Sequence, residues 1–179
     1  MFKPFYFESK DLCVHPFRSE DMNRLDQLSQ DIFSLLSDNK TLQFIPEKRL
    51  NDEKEAESFL RSTIINYHAN RNYVHFITSK HTGKVIGIID LISPHVAKEH
   101  YKMDDYPYFI EFYLSGYASG CYIMTEILPL IVEYILEQGI RKIGAVINRK
   151  NIAARKVLEK SDFVYKTQFD PIQDLYETI

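Results

Sequence analysis

Pro107-Tyr-Phe-Ile-Glu111-Phe-Tyr-Leu114-Ser-Gly-Tyr-Ala-Ser-Gly120-Cys-Tyr-Ile123-Met-Thr-Glu-Ile-Leu-Pro129-Leu-Ile-Val-Glu-Tyr-Ile-Leu136 reads as a strand, a loop and a long apolar helix in immediate succession. Tyr108, Ile110, Phe112 and Leu114 alternate with Phe109, Glu111 and Tyr113, the period of a half-buried strand. Two glycines and two serines then break the alternation. Beyond them Ile123, Ile127, Leu130, Ile131 and Tyr134 recur at helical spacing, opposite a stripe of Glu126, Glu133 and Glu137. A helix that opens from a glycine-bearing loop presents unpaired backbone N–H groups and the positive end of its dipole, so it can hold a phosphate without a charged side chain.

Composition bounds the rest. At 179 residues with 45% hydrophobic content, the chain suits one domain, 1–179, with a substantial core. A net charge of −3 gives no electrostatic footprint for nucleic acid. Cys13 and Cys121 are too few for a disulfide framework and are not arranged as metal pairs. The first residues lack an apolar signal core, and no apolar run approaches the roughly twenty residues of a membrane span. The expectation is therefore a cytoplasmic protein without a membrane or nucleic-acid partner, either monomer or homodimer.

Outward from the central stretch, Leu12 to His15 read as a short strand ended by Pro16. Ser19 is a candidate N-cap for a helix whose buried face includes Met22, Leu25, Leu28, Ile32, Leu35 and Leu36, stopped at residues 37–40. Asp52 with Glu55 resembles a capping box ahead of Ala56, Phe59, Leu60, Ile64 and Tyr67. Residues 73–79 and 84–91 form a hairpin turned by Gly83. Residues 92–106 carry His95, His100, Asp104 and Asp105 without clear periodicity and read as a long, functional loop. Downstream lie a left-handed helix cap at Gly139, a strand over 140–147, a helix capped by Asn151, and two short strands around Asp170-Pro171.

Four segments carry a family resemblance: the opening strand with Pro16, Gly83-Lys-Val-Ile-Gly87, the central loop and helix, and Asn151-Ile-Ala-Ala-Arg-Lys-Val-Leu-Glu-Lys-Ser-Asp-Phe163. The chain resembles the GNAT-fold N-acetyltransferases, in the branch similar to the ribosomal-protein alanine acetyltransferases RimJ and RimL. The last segment is the most specific, departing from Asn-x-x-(Ser/Ala)-x-x-Val-Leu-Glu-Lys-x-Gly-Phe only in having Asp162 for glycine; Asp tolerates a left-handed backbone. The resemblance implies an α/β (α+β) fold: a mixed, mostly antiparallel sheet splayed between its fourth and fifth strands and flanked by about four helices. It also implies acetyl-CoA as cosubstrate, no metal, and direct transfer of the acetyl group to an amine.

In that family the pyrophosphate loop follows (Gln/Arg)-x-x-Gly-x-(Gly/Ala), which falls here on Tyr117-Ala-Ser-Gly120-Cys-Tyr122. Only Gly120 matches, and Tyr122 stands where a glycine normally lets the ligand approach the backbone; a helical residue there can keep a negative φ. The coenzyme-binding residues implied are Leu114, Tyr117, Ala118, Ser119, Gly120, Cys121, Tyr122, Asn151 and Arg155, with the N–H groups of 118–121 as the cradle. Arg149, Lys150, Arg155 and Lys156 read equally as a solvated basic face or as partners of the adenosine phosphates. Glu111, the one carboxylate on the central strand, is the candidate base for the amine. Leu158 and Ala154 occupy positions where relatives place tyrosine or serine, so no thiolate-protonating residue carries over from the family; Tyr113, Tyr117 and Tyr122 are candidates by nearness to the loop, with Tyr113 taken as the catalytic candidate beside Glu111. The acceptor classes left open are a protein N-terminus, a polyamine, an aminoglycoside and a small amine. The alternative is a catalytically weak GNAT-fold protein that binds acyl-CoA or a partner without turnover.

Overall fold

The computed structural model describes residues 2–179. The chain divides into two compact units, one comprising Lys3–Asp90 and Phe112–Ser119, the other Phe2, Leu91–Glu111 and Gly120–Ile179. One eight-stranded sheet runs through the chain in the order β1-β2-β3-β4-β5-β6-β8-β7, where β1 is Phe7–Glu8, β2 Leu12–His15, β3 Asn72–Ser79, β4 Val85–Ile92, β5 Tyr108–Leu114, β6 Ile143–Asn148, β7 Phe163–Gln168 and β8 Gln173–Thr178. Five helices accompany it rather than about four: α1 Leu25–Ser37, α2 Glu53–His68, α3 Pro94–His100, α4 Ile123–Glu137 and α5 Ile152–Glu159. The sheet is mixed and mostly antiparallel, as expected.

In the first unit Leu28, Ile32, Leu35 and Leu36 of α1 pack with Ala56 and Leu60 of α2 and with Val74, Phe76, Val85 and Ile88. The helical start differs from expectation. Asp21, fully buried, accepts the Arg18 backbone N–H at 2.9 Å and both the Arg18 and Arg24 guanidinium groups, so Arg18 rather than Ser19 occupies the cap. Residues Ser19–Arg24 are 3₁₀, and its three-residue turn takes Met22 off the buried stripe, leaving it 57% exposed. The second helix starts as expected, its Asp52 carboxylate accepting Glu55 N–H at 2.9 Å. Gly87 lets β4 pass against the end of β5, since a Cβ there would meet Leu114 Cδ2 at 2.6 Å and the Tyr113 carbonyl at 2.8 Å.

In the second unit the segment read as an aperiodic loop contains α3. Ser93 caps it by accepting from Val96 N–H at 3.4 Å, and Pro94 sits in the first turn where its missing N–H costs nothing. Ile92, Val96 and Ala97 bury against Phe109 and Leu175. Beyond α3, Tyr106 Oη donates to the Tyr101 carbonyl (2.8 Å) and accepts from Met103 N–H (3.0 Å), closing the connection to β5. In α4 the buried residues are Met124, Ile127, Leu128, Ile131, Val132 and Ile135, whereas Leu130 is exposed.

The two-residue β1 shifts the strand count by one, so the pair expected to splay is β5 and β6. They pair in parallel at Tyr108↔Ile143 and Phe109↔Gly144, and β6 runs antiparallel to β8 out to Asn148↔Gln173. Gly144 permits this crossing: a Cβ there would meet the Phe109 ring at 2.8 Å. At the C-terminal edge, the Asp170 carboxylate accepts the N–H groups of Ile172 (2.8 Å) and Gln173 (2.7 Å), turning β7 into β8. Asp162 has a φ of 61°, the left-handed conformation that its place in the motif requires.

Candidate functional site

The loop after β5 is held at its start. Ser115 N–H donates to the Ile86 carbonyl at 2.8 Å, and the Ser115 carbonyl accepts from both Ala118 and Ser119 N–H at 3.0 Å. Those two amides are thus spent inside the turn, which corrects the expected cradle. The amides of Gly120, Cys121 and Tyr122 have no acceptor among the described residues, and they lead into α4, whose first turn leaves further N–H groups without carbonyls. The unpaired amides therefore lie closer to the helix than the expected run 118–121.

Two left-handed residues shape it. Gly120 has a φ of +86° and Tyr122, the cap of α4, a φ of 60°. The glycine usual at the latter position adopts that conformation freely; the tyrosine here adopts it against its Cβ, and does not take the negative φ anticipated from the sequence. Tyr117 and Tyr122 are each 72% exposed, and Cys121 is exposed. Ser115, by contrast, is 7% exposed and its hydroxyl has no hydrogen-bond partner. Free backbone donors at a helix start are of the kind that suit a phosphate-bearing ligand.

Helix α5 packs against α4 in the second unit. Asn151 Oδ1 accepts Ala154 N–H at 3.1 Å, so its oxygen serves as the helix cap and its NH₂ is left for other partners. The basic residues divide. Arg149 is committed to Asp174 through contacts of 2.7 to 3.2 Å and to the Pro171 carbonyl at 3.3 Å. Those hydrogen bonds, the largest influence on either group, hold the Asp174 carboxyl below the usual carboxylate range and the guanidinium above its own. Arg155 lies 3.6 Å from Glu159, beyond hydrogen-bond distance, while Lys150 and Lys156 are exposed. Of the four, Arg149 belongs to the fold, Arg155 forms an ion pair with Glu159, and Lys150 and Lys156 keep their charge in solvent.

Glu111 and Tyr113 are both half-buried on β5, and Tyr113 packs on the core built by α1 and α2. Leu114 lies against Gly87. His95 stands 3.4 Å from Glu99 on α3, and no group of three or more His, Cys, Asp or Glu side chains gathers at metal-binding distances among the described residues. None of their helices is long and apolar enough to cross a membrane.

Two features of the loop escaped the sequence. Gly116 donates its N–H to Asp38 Oδ2 at 3.1 Å and accepts Lys40 Nζ at 2.9 Å on its carbonyl, tying the loop to the turn after α1. The spacing Asp38…Thr41 was the available signal, because an Asp commonly accepts from amides that follow it in a turn.

Comparison with known proteins follows the same line. The family model described as an acetyltransferase (GNAT) domain matches residues 11–164. No curated protein matches the sequence. Among solved structures, the ribosomal-protein-S5-alanine acetyltransferase from Vibrio fischeri superposes with a TM-score of 0.73 at 16% identity, covering 98% of this chain and 96% of that one. The Microcin C7 self-immunity acetyltransferase MccE, in complex with acetyl-CoA and AMP, gives 0.72 at 14% identity over 96% and 93%. RimL, the ribosomal L7/L12 α-N-protein acetyltransferase in complex with coenzyme A, gives 0.68 at 16% identity over 98% of each chain.

Proposed function

Since the chain belongs to the GNAT acetyltransferase family, we propose that it is an N-acetyltransferase that moves an acetyl group from acetyl-CoA directly to an amine, and that residues 1–179 act as one domain. The family match crosses both compact units, which supports the single domain. The observation that carries the function is the run of unpaired amides at residues 120–122 heading α4, with the Asn151-capped α5 packed beside that helix. Acetyl-CoA brings an acetyl group already activated as a thioester.

The chain's own groups have three tasks. The amides of Gly120, Cys121 and Tyr122, with the Asn151 NH₂ and the cations Arg155, Lys150 and Lys156, hold the phosphate-bearing arm; Leu114, Tyr117, Ala118 and Ser119 form the strand end and turn that precede them. Glu111 accepts the amine's proton, directly or through water, because only the neutral amine is nucleophilic. Tyr113 is the donor for the departing thiolate. The acceptor is a cationic amine, a protein N-terminus or a polyamine, matching the acidic stretch of Glu99, Asp104 and Asp105.

The alternative of an acyl-CoA-binding relative without turnover draws on Tyr122 in the left-handed position and on Leu158 and Ala154 in place of acids. Release of free thiol from acetyl-CoA, measured against a panel of N-terminal peptides, polyamines and small amines, separates the two. Amine-dependent release supports the enzyme. Coenzyme binding by calorimetry without release from any acceptor establishes the alternative.

A further inference from the structure

We infer that Asp38 and Lys40 are positioning residues for coenzyme binding: the turn after α1 grips both polar groups of Gly116 and so fixes the loop that ends in the free amides of residues 120–122. The inference rests on the acetyltransferase reading above and adds residues to its machinery from outside the loop and both motifs.

The geometry is specific. Asp38 Oδ2 accepts three donors, Thr41 Oγ1 at 2.7 Å, Thr41 N–H at 3.0 Å and Gly116 N–H at 3.1 Å, while Lys40 Nζ donates to the Gly116 carbonyl at 2.9 Å. One four-residue turn therefore satisfies the amide and the carbonyl of a single loop residue. The position excludes any side chain, since a Cβ on Gly116 would lie 2.7 Å from Asp38 Oδ2 and 2.9 Å from Lys40 Cβ. Thr41's hydroxyl and then its amide, with smaller help from the Lys40 and Gly116 amides, hold the Asp38 carboxyl below the usual carboxylate range, so the acceptor stays charged through the neutral range.

Gly116 lies directly between Ser115, whose carbonyl closes the turn on Ala118 and Ser119, and the stretch that leads to Gly120. A backbone cradle binds an anion well only when its amides are already fixed, because ordering flexible residues on binding costs conformational entropy that subtracts from affinity. The loop has lost the family's Gln/Arg and its second glycine. A grip from the neighbouring turn supplies the fixing that those side chains do not.

The experiment compares Asp38→Ala, Lys40→Met and Gly116→Ala with Asp38→Asn, which keeps an acceptor oxygen, and Thr41→Val, which removes only the hydroxyl bond inside the turn. Two quantities are read: the KM for acetyl-CoA against that for the amine, with CoA affinity by calorimetry, and hydrogen-exchange protection of the Ala118 and Ser119 amides. Expected are a roughly tenfold rise in acetyl-CoA KM and CoA Kd for the first three variants, with kcat and amine KM within about twofold, and a smaller rise for Asp38→Asn and for Thr41→Val. Protection of Ala118 and Ser119 falls in the same order. Equal losses in both KM values, or unchanged protection in Asp38→Ala and Lys40→Met, overturn the inference. Protection lost in those variants of a wild type that binds no CoA upholds the grip on the loop and refutes the acetyltransferase reading instead.

Discussion

Tyr122 sets the character of the loop through its backbone before its ring enters. A left-handed conformation at a residue with a Cβ costs on the order of 1 kcal/mol, and glycine adopts it without that penalty. With the ring 72% exposed, little packing is lost on removing it. Tyr122→Gly is therefore expected to stabilise the fold by about 0.5–1 kcal/mol in urea unfolding, and calorimetry should find CoA binding in the wild type with little gain in the variant. A wild type that binds no CoA and a variant that does would mean the ring blocks the cradle. Glu111 poses a question of chemistry instead. Replacing it with glutamine preserves size while removing the proposed base, so kcat should fall roughly a hundredfold and the acidic limb of the pH profile should flatten, with CoA affinity retained. Wild-type turnover in Glu111→Gln would assign the proton to water or another group.

At the level of elements, strong periodicity was legible and tertiary ties were not. The alternation in β5, the helical stripe of α4, the Gly83 hairpin and the Asn151 cap all declare themselves in the sequence because each is decided by neighbours a few residues away. Helix α3 escaped because seven residues give barely two turns of periodicity, although Ser93-Pro94 marked its start. The buried face of α4 was misplaced for Leu130 because the apolar run there is nearly continuous and does not say which side is covered. In the site, Gly120 was readable as loop chemistry, whereas the grip on Gly116 joins residues 76 and 78 positions apart, and no local pattern encodes that. The segment after α3 yields a test of acceptor choice. Asp104 and Asp105 are exposed, and Asp105 Oδ1 accepts Tyr106 N–H at 2.9 Å, a bond that asparagine can keep. Asp104→Asn with Asp105→Asn thus removes charge and spares the turn. The expected result is an amine KM raised roughly three- to tenfold with acetyl-CoA KM nearly constant; an equal rise in both would show that these carboxylates do not choose the acceptor.

For the molecule as a whole, the acid limit of stability is written in its buried imidazoles. His75 Nδ1 lies 2.9 Å from the Tyr73 carbonyl and its Nε2 3.0 Å from Phe5 N–H, so Nδ1 donates, Nε2 accepts, and the ring is neutral. Protonating Nε2 would set one N–H against another inside the protein. Burial, the largest influence, takes the pKa down to about 4 from an ordinary 6.5, despite the opposing bond to Tyr73. His15, buried and held between the Pro16 carbonyl at 2.8 Å and Thr78 Oγ1 at 2.9 Å, is lowered for the same first reason. Between those values the unfolded chain binds protons that the folded chain refuses, so stability rises with pH: it is complete above about 6.5 and drains away as pH falls towards 4. A displacement of this size at His75 corresponds to about 3 kcal/mol over that window, with His15 adding in the same direction. Asp21 extends the loss further down. Its burial favours the neutral acid, but the bonds from Arg18 and Arg24 outweigh that and keep it ionised, so protonating it at still lower pH removes the anchor of the turn before α1. Urea unfolding of the wild type and His75→Gln at several pH values from 4 to 7.5 checks the assignment by slope rather than by absolute stability, which the substitution also changes. The variant's stability should fall less steeply below pH 6.5, by close to one proton; parallel curves would place the acid sensitivity elsewhere.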